Sequence, residues 1–316
     1  MKLKSMILAS IAAMALVAPA VAQYPERPLR IVVPTDPGGD IDTIARAFQR
    51  TFQEQGLFDT VVVINQPGGG GTIGTRAIKD AEPDGYTIGL WTPGIITSAA
   101  MGVVEYDHTS FEIIGGSGAA QIGLGIKSDA PYADVTEMIE ALKAEPESMT
   151  VASNIGLPVH FLPMMFAEEA GIDLRYAQVG GGAARMASIL GGHTDIAMFS
   201  ISEFLNYAEG GLRPIVLFSA ERDERLPDVP TAREAGVDFV IDDARIWLAP
   251  AGVPEERLEY LRDAIRQVLA DEEVSESFRS LGLEPDFQTP EQIEGQLDDM
   301  LRRALPLVEQ AKALAQ

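Results

Sequence analysis

The sequence contains no cysteine among its 316 residues and only three histidines. Without cysteine the chain cannot form disulfides, so its fold must depend on an apolar core, and we expect no lipid anchor. The histidines do not show the spacing of a metal site such as H-E-x-x-H, and the G-x-S-x-G motif of many hydrolases is absent. These absences argue against common enzyme classes, and we expect no catalytic residues, no metal and no cofactor.

Basic residues are also scarce. The chain has 24 Lys and Arg against 47 Asp and Glu, and its formal net charge is −23 at pH 7. A surface of this charge repels nucleic-acid phosphates and anionic lipid headgroups. We therefore expect no nucleic-acid partner and no binding to anionic membranes. The overall charge does not exclude a local site for a small anion.

A mainly apolar run stands out at the N-terminus, from Met6 to Val17. Lys2 and Lys4 precede this run, and the small-residue pattern Ala20-Val21-Ala22 follows it. This order is typical of a secretory signal peptide. We predict that residues 1–22 are removed and that the mature protein is soluble and periplasmic. The run is shorter than the roughly 20 residues of a membrane span, and an uncleaved anchor is the alternative.

The rest of the chain alternates short apolar segments with amphipathic segments. The strand predicted at 29–33 is followed by a helix at 43–55, and further helices are predicted at 135–144, 231–235 and 290–315. Alternation of this kind predicts an α/β fold with parallel sheets covered by helices on both faces. The length suggests two domains.

Two strand-to-helix loops, at 33–42 and 152–160, are candidates for a ligand site, because parallel sheets bind ligands where their strands end. Both contain glycine, which lets backbone N–H groups approach a ligand closely, and both precede helix N-termini, which favour anions. Two such loops facing each other could hold a carboxylate without a buried Lys or Arg. Asp42 is either the helix N-cap or a ligand contact. We interpret His160 as a local hydrogen-bond partner rather than a catalyst.

Three further positions carry weaker signals. Thr92 follows an apolar strand, and Gly181 lies in a glycine run before a helix. Arg245 precedes the apolar segment Ile246-Trp247-Leu248. Its planar guanidinium could bind a second carboxylate, or it could pair with Asp242 or Asp243.

The stretch from Asn65 to Thr75 contains the dinucleotide-binding fingerprint G-x-G-x-x-G at Gly69, Gly71 and Gly74. In nucleotide-binding folds an acidic residue about 20 positions later binds the ribose, but the next strand here ends at Trp91-Thr92-Pro93-Gly94. We therefore interpret these glycines as a tight turn beside the cleft. We expect loop 37–42 to contact the ligand instead.

Several motifs follow one another in an order that resembles a known family. The strand Y-P-E-R-P-L-R-I-V-V-P is followed by P-G-G-D-I-D at 37–42, N-Q-P-G-G-G-G at 65–71 and P-D-G-Y-T at 83–87. The second half contains S-N-I-G at 153–156 and G-G-H-T-D at 191–195. In this order the motifs resemble the substrate-binding proteins of tripartite tricarboxylate transporters, also called Bug proteins.

The resemblance implies a two-domain periplasmic-binding-protein fold (type II-like), with hinged domains that close around a central cleft on a small carboxylate. We assign residues 23–124 and 247–316 to domain I and residues 125–246 to domain II. The predicted ligand-binding residues are Thr35, Gly38, Gly39, Asp42, Thr92, Ser153, Asn154, Gly156, His160, Gly181, Asp195 and Arg245.

The chain departs from the family's pattern near the third glycine loop. Val179-Gly180 stands where a Tyr-Lys pair is common, and Ala184 stands where Pro is common. Ile41 replaces a small or polar residue. These departures leave the identity of the acid open, and Arg185 and Arg245 are the candidates for binding its distal group.

The predicted function is capture of a di- or tricarboxylate or an aromatic acid and its delivery to membrane permease subunits, by a protein that we expect to be a monomer. A sensor component that presents the same ligand to a membrane signalling system would use identical binding chemistry, and it is the alternative. A secreted nucleotide-dependent enzyme is disfavoured, because the acidic ribose partner is missing.

Overall fold

The computed structural model describes residues 24–314, and the predicted signal peptide lies outside them. None of the helices in this range has the length and apolar composition needed to cross a membrane. The strands are β1 (Leu29–Val33), β2 (Val61–Asn65), β3 (Thr87–Trp91), β4 (Phe111–Ala120), β5 (Ile122–Lys127), β6 (Thr150–Ser153), β7 (Arg175–Gln178), β8 (Ile196–Ser200), β9 (Leu212–Leu217), β10 (Asp243–Pro250) and β11 (Leu283–Glu284). The helices are α1 (Asp40–Glu54), α2 (Thr72–Lys79), α3 (Gly94–Ala100), α4 (Val135–Ala144), α5 (Pro158–Ala170), α6 (Gly182–Leu190), α7 (Ile201–Tyr207), α8 (Glu255–Leu269), α9 (Glu272–Ser280), α10 (Pro290–Ala304) and α11 (Val308–Leu314).

The strands form two mixed sheets. The first sheet has the order β11-β4-β10-β3-β1-β2, and the second has the order β7-β6-β8-β5-β9. Strands β1, β2 and β3 are parallel, as are β6, β7 and β8. Strand β10 is antiparallel to both of its neighbours, and so is β5. The α/β class is confirmed, but the prediction of purely parallel sheets is wrong.

Strand β4 shows why the sequence did not predict the antiparallel part of the first sheet. Its sequence F-E-I-I-G-G-S-G-A-A is too rich in glycine to resemble a strand. These glycines are needed because β11 and the residues that follow it pack very closely here. A Cβ at Gly118, which has a φ of +119°, would lie 2.3 Å from the carbonyl oxygen of Glu284.

The core of the first sheet is built on amphipathic α1. Phe48 and Phe52 lie on its buried face, and the Phe48 ring packs against fully buried Trp247 of β10 with 4.7 Å between ring centroids. Burying side chains of this size contributes roughly 1.5–3 kcal/mol each. This packing fixes α1 over the sheet, and with it the loop that connects β1 to α1.

The chain first passes from the first sheet to the second at a single residue, Gln121. Strand β4 runs in the same direction as β3, because β10 is antiparallel to both, so it leaves the first sheet at the edge where β1, β2 and β3 end. Strand β5 enters the second sheet beside Ser200, at the edge where β8 ends. The loops that follow the parallel strands of both sheets are therefore brought to one region.

The positions of the crossings bear on the predicted domain boundaries. The chain returns to the first sheet between Leu217 and Asp243. The predicted boundaries at 124/125 and 246/247 thus fall within β5 and β10. Division into two moving domains stays a prediction, and Gln121 and the segment 218–242 are its natural limits.

Two of the predicted helices differ in the structure. No helix forms at 231–235, where Thr231 instead makes an isolated bridge to Leu217. Five residues followed by Gly236 are too few to offset the cost of starting a helix. The long helix predicted at 290–315 stops at Ala304 because Pro306 follows and proline cannot continue the hydrogen-bond ladder. A 3-10 turn then leads into α11.

Two helical glycines provide a matched test of how closely α2 packs on the first sheet. A Cβ at Gly74 would lie 2.7 Å from Cα of Pro34, whereas a Cβ at Gly295 of α10 would have no heavy atom within 4 Å. We expect Gly74→Ala to lower the free energy of unfolding by about 1–3 kcal/mol through overpacking. We expect Gly295→Ala to raise it by about 0.5–1 kcal/mol, because alanine favours helix. Urea denaturation measures both free energies of unfolding. Equal effects of the two substitutions would show that α2 packs less closely against the first sheet than the Gly74 contact indicates.

Candidate functional site

A cavity of about 370 Å³ lies where the loops of the two sheets meet. Its walls come from three loops of the first sheet, which follow β1, β2 and β3, and from the start of α5 in the second sheet. The lining residues are Pro34, Thr35, Asp36, Pro67, Gly68, Gly70, Gly71, Trp91, Thr92, Gly94, Leu157 and Pro158. Of the predicted ligand-binding residues, Thr35 and Thr92 are among them.

The glycine-rich loop, which the sequence predicts as a tight turn packed beside the cleft, forms much of the cavity wall. Gly68 and Gly71 have φ of +113° and +93°, a region that other residues rarely adopt. A Cβ at Gly71 would lie 2.1 Å from Cζ2 of Trp91. The indole therefore packs directly on the loop's main chain, which only glycine permits.

The helix N-termini at the site differ in charge. The first turn of α1 contains Asp40 and Asp42, whereas the first turns of α2 and α5 contain no acidic residue. A helix N-terminus carries about half a positive charge, and acidic side chains in the first turn of α1 already compensate it. The starts of α2 and α5 are consequently the better places for an anion, and both adjoin the cavity.

Asp42 does not cap α1, contrary to one prediction. Gly39 is the N-cap residue, and Asp42 lies within the first turn, buried. Its carboxylate accepts hydrogen bonds from the Gly38 N–H (2.8 Å), Arg46 Nε (2.9 Å) and Asn65 Nδ2 (2.9 Å). Although burial opposes it, these hydrogen bonds hold the pKa of Asp42 below its usual value. The carboxylate thus links the first loop to the end of β2.

Gly38 and Gly39 do not line the cavity, contrary to the expectation for loop 37–42. The Gly38 N–H is committed to Asp42. This loop contributes Pro34, Thr35 and Asp36 to the cavity instead, because the chain turns away after Asp36 to enter α1.

The loop after β6 is held by internal hydrogen bonds. Asn154 Oδ1 accepts a hydrogen bond from Gln178 Nε2 at 2.7 Å, and the Ile155 N–H donates to Gln178 Oε1 at 2.7 Å. The Gly156 N–H donates to His160 Nδ1 at 3.2 Å. These contacts place Asn154 and Gly156 as supports of the loop whose next residues, Leu157 and Pro158, line the cavity.

Two buried hydroxyls have no hydrogen-bond partner within residues 24–314. They are Thr35 Oγ1, just after β1, and Ser153 Oγ, at the end of β6. A buried polar group without a partner costs about 1–3 kcal/mol, so such groups in a native structure require an explanation. Both occur at the strand ends that meet at the cavity.

His160 is fully buried, and burial lowers the pKa of its imidazole to about 4. The ring is therefore neutral near pH 7. Because Nδ1 accepts the Gly156 hydrogen bond, the proton lies on Nε2, which has no hydrogen-bond partner among the described residues. The hydrogen bond from Gly156 agrees with the predicted local role of this histidine.

The two arginines proposed for a distal carboxylate are engaged within the protein. Arg245, with only 5% of its side chain exposed, pairs with Asp40 at 2.6 Å and with Asp243 at 2.9 Å, and not with Asp242. This pairing favours the structural alternative for Arg245 over a ligand contact, which stays a prediction. Arg185 donates to the carbonyl oxygen of Gly180 at 3.0 Å and lies 3.8 Å from the Glu203 carboxylate.

Two other predicted contacts lie away from the cavity. Asp195 precedes β8, so it lies at the edge where the parallel strands begin, and its carboxylate accepts a hydrogen bond from the Thr150 N–H at 2.7 Å. Ligand loops follow parallel strands rather than precede them, so the position of Asp195 does not support the predicted ligand contact. Gly181 is the N-cap residue of α6 and is exposed, and it is not part of the cavity wall.

A second cavity, of about 390 Å³, lies between α10 and the segment 240–242. Three carboxylates line it, those of Asp242, Glu291 and Asp299. Burial and the neighbouring Asp243 raise the pKa of Asp242 to about 6. Because these carboxylates repel anions, this cavity suits an organic acid far less than the glycine-lined cavity does.

Sequence reasoning missed the roles of Trp91 and Leu157. The available signal was the glycine fingerprint, because glycines placed after a strand permit close approach to an aromatic ring as well as to a phosphate.

Within residues 24–314 no group of three or more His, Asp or Glu side chains could hold a metal ion.

Comparison with known proteins agrees with this architecture. The profile of the family described as "Tripartite tricarboxylate transporter family receptor" matches residues 44–313. Protein BugT of Bordetella pertussis is 28% identical over 303 residues, which cover 92% of this chain and 91% of BugT.

Solved structures share the fold over nearly the whole chain. A TctC solute-binding protein from Polaromonas has a TM-score of 0.81 at 23% identity and covers 91% of this chain and 99% of its own. MatC from Rhodopseudomonas palustris, solved with bound malate, has a TM-score of 0.71 at 23% identity and covers 90% of this chain and 100% of its own.

The depressed pKa of His160 predicts a pH-dependent loss of stability. Between the ordinary pKa of about 6.5 and the folded pKa of about 4, the unfolded chain binds a proton that the folded protein does not. Stability must therefore fall as the pH is lowered through this window, by up to about 3 kcal/mol from this group. We expect His160→Gln to remove this part of the slope in urea denaturation at pH 7, 6, 5 and 4.

His193→Gln serves as the control, because it replaces an exposed histidine and keeps the buried imidazole of His160, so the part of the slope that depends on His160 should remain. Other groups that titrate in this window are common to all three proteins and cancel in the comparison. An unchanged slope in His160→Gln would contradict the burial of a neutral imidazole.

Proposed function

Because the chain belongs to the tripartite tricarboxylate transporter receptor family, we propose that it is a periplasmic solute-binding protein that captures a small organic carboxylate in the glycine-lined cavity. The description of the family as a transporter receptor supports delivery of the ligand to membrane permease subunits. MatC was solved with bound malate, so carboxylates are the first ligands to test. At 23% identity the likeness to MatC shows a shared fold.

The observation that carries the proposal is the meeting of helix N-termini without acidic residues at one cavity, those of α2 and α5 and that of the short helix α3, whose first residue Gly94 lines the wall. The ends of α2 and α5 come from different sheets, and each favours a negative charge by about 0.3–1 kcal/mol, or up to about 2 kcal/mol when partly buried. Micromolar binding requires about 8 kcal/mol. The two helix ends therefore need several hydrogen bonds in addition.

The unpaired hydroxyls of Thr35 and Ser153 are the proposed source of part of that energy. Each is buried near the end of a parallel strand, one from each sheet, and Thr35 also lines the cavity. A hydrogen bond to a charged acceptor contributes about 1.5–3 kcal/mol. A carboxylate held by both sheets would also favour approach of the two loop regions, which is how we propose that binding closes the cleft.

Two threonines test this proposal, one after the end of β1 and one before the start of its parallel neighbour β2. Thr35→Val removes the unpaired hydroxyl at the cavity with little change in volume, whereas Thr60→Val alters an exposed residue just before β2. We expect Thr35→Val to weaken carboxylate binding about tenfold or more, and Thr60→Val to leave it unchanged. Isothermal titration calorimetry with mono-, di- and tricarboxylates, aromatic acids included, provides the measurement.

The proposal fails if the wild-type protein binds none of these acids at millimolar concentration. Equal affinities of wild type, Thr35→Val and Thr60→Val for an acid that does bind would remove the hydroxyl from the site and leave binding by the helix ends alone.

A further inference from the structure

We propose that the preferred ligand is a monocarboxylate whose apolar remainder packs against Trp91, rather than a di- or tricarboxylate. This inference rests on the proposed function and names the class of acid that the cavity favours. It follows from three properties of the cavity, which are its lack of a free cation, its one acidic wall residue and its apolar walls.

The first property is the absence of a basic residue to bind a second carboxylate. None of the residues that line the cavity within the described chain is Lys, Arg or His. Three arginines on neighbouring elements are matched to carboxylates: Arg46 to Asp42 at 2.9 Å, Arg245 to Asp40 and Asp243, and Arg185 to Glu203. Arg30 of β1 donates to Thr87 Oγ1, and Arg76 of α2 lies over the Tyr106 ring, 5.3 Å from its centroid. A second carboxylate in the ligand would therefore lose its water without gaining an opposite charge, which is strongly unfavourable.

The second property is the charge that the cavity does contain. Asp36 lines it, exposed, on the loop after β1. Its carboxylate repels any negative group that extends away from the two helix ends. The net charge of −23 for the whole chain adds to this repulsion.

The third property is the nature of the remaining walls. Trp91 is 8% exposed and is backed by the main chain of Gly71. From the second sheet, Leu157 reaches across, since a Cβ at Gly70 would lie 3.2 Å from Leu157 Cδ2. Pro34, Pro67 and Pro158 complete an apolar surface. Such walls favour an aliphatic chain or an aromatic ring, since burial of apolar surface drives binding.

The size of the cavity agrees with a small acid. Its volume of about 370 Å³ is at the lower end of the range of roughly 300–1,000 Å³ found for small-molecule sites. One carboxylate at the helix ends and one apolar group on Trp91 fill a site of this kind.

Matched pairs of acids test the inference by calorimetry on the mature protein. Hexanoate and adipate share a six-carbon chain, and benzoate and terephthalate share a ring, so each pair differs by one carboxylate. We expect the monocarboxylate of each pair to bind at least tenfold more tightly. Tighter binding of adipate and terephthalate would overturn the inference and support the proposed function. No binding of any of the four acids would overturn the inference, and the proposed function would fail as well only if the tricarboxylates and the other acids of the wider panel also did not bind.

A substitution that supplies the missing cation gives a second test. Leu157→Arg places a guanidinium at the cavity, and we expect it to raise the affinity for adipate at least tenfold while lowering the affinity for hexanoate. Leu205→Arg, at a residue that is 43% exposed on α7, adds the same charge elsewhere and should change neither. Equal gains for adipate in both variants would show that only the overall charge matters, and would contradict a cation-poor cavity.

Trp91 itself provides the third test. Trp91→Phe should retain most of the affinity for benzoate, and Trp91→Leu should lose at least fivefold, with acetate affinity unchanged in both. Thermal unfolding of each variant shows whether it is folded. The fluorescence of Trp91 in a Trp247→Phe background should change on benzoate addition, and an unchanged emission at saturating benzoate would place the ring elsewhere.

Discussion

The close approach of the glycine-rich loop to Trp91 is the constraint on which the site depends. The indole fills the space where any side chain at position 71 would begin, so the loop lies flat against the ring and α2 starts directly behind it. One turn later, Gly74 allows the same helix to touch the main chain at Pro34. These two contacts place the N-terminus of α2, the aromatic wall and the loop after β1 around one cavity. A larger side chain at either glycine would separate elements that the site needs together.

The distribution of charge explains how a strongly acidic protein can hold an organic acid. The buried guanidinium of Arg245 is matched by nearby carboxylates, so it supplies no free positive charge. The first turn of α1 likewise contains its own acidic residues. What remains for an anion is the main chain at the starts of α2 and α5. Attraction at the site is therefore local, while the negative charge of the chain as a whole repels polyanions.

Local patterns in the sequence predicted local structure well, and contacts between distant segments could not be predicted in the same way. Strand β1 and helix α4 begin and end where their apolar periodicity predicts. Strand β4 was missed because its glycines serve a contact with β11, more than 150 positions later. The pairing of Arg245 with Asp40 joins residues 205 positions apart, so no local pattern could reveal it. The place of Asp195 in the sheet was not predicted, because a motif identifies a sequence position but not the edge of the sheet on which it lies.

The glycine-lined wall also has a consequence for how the protein could change over time. The proposed recognition of the charged end by helix ends and glycines depends on the path of the main chain, and the fold that sets this path is shared by the Polaromonas protein at only 23% identity. Wall side chains that do not hold the glycine-rich loop in place, such as Leu157 from the second sheet, can be exchanged more freely than Trp91. Selection for a new ligand can then act on a few wall positions while the anion-binding frame is inherited unchanged. A fold of this kind separates the part of the site that must be kept from the part that is free to diversify.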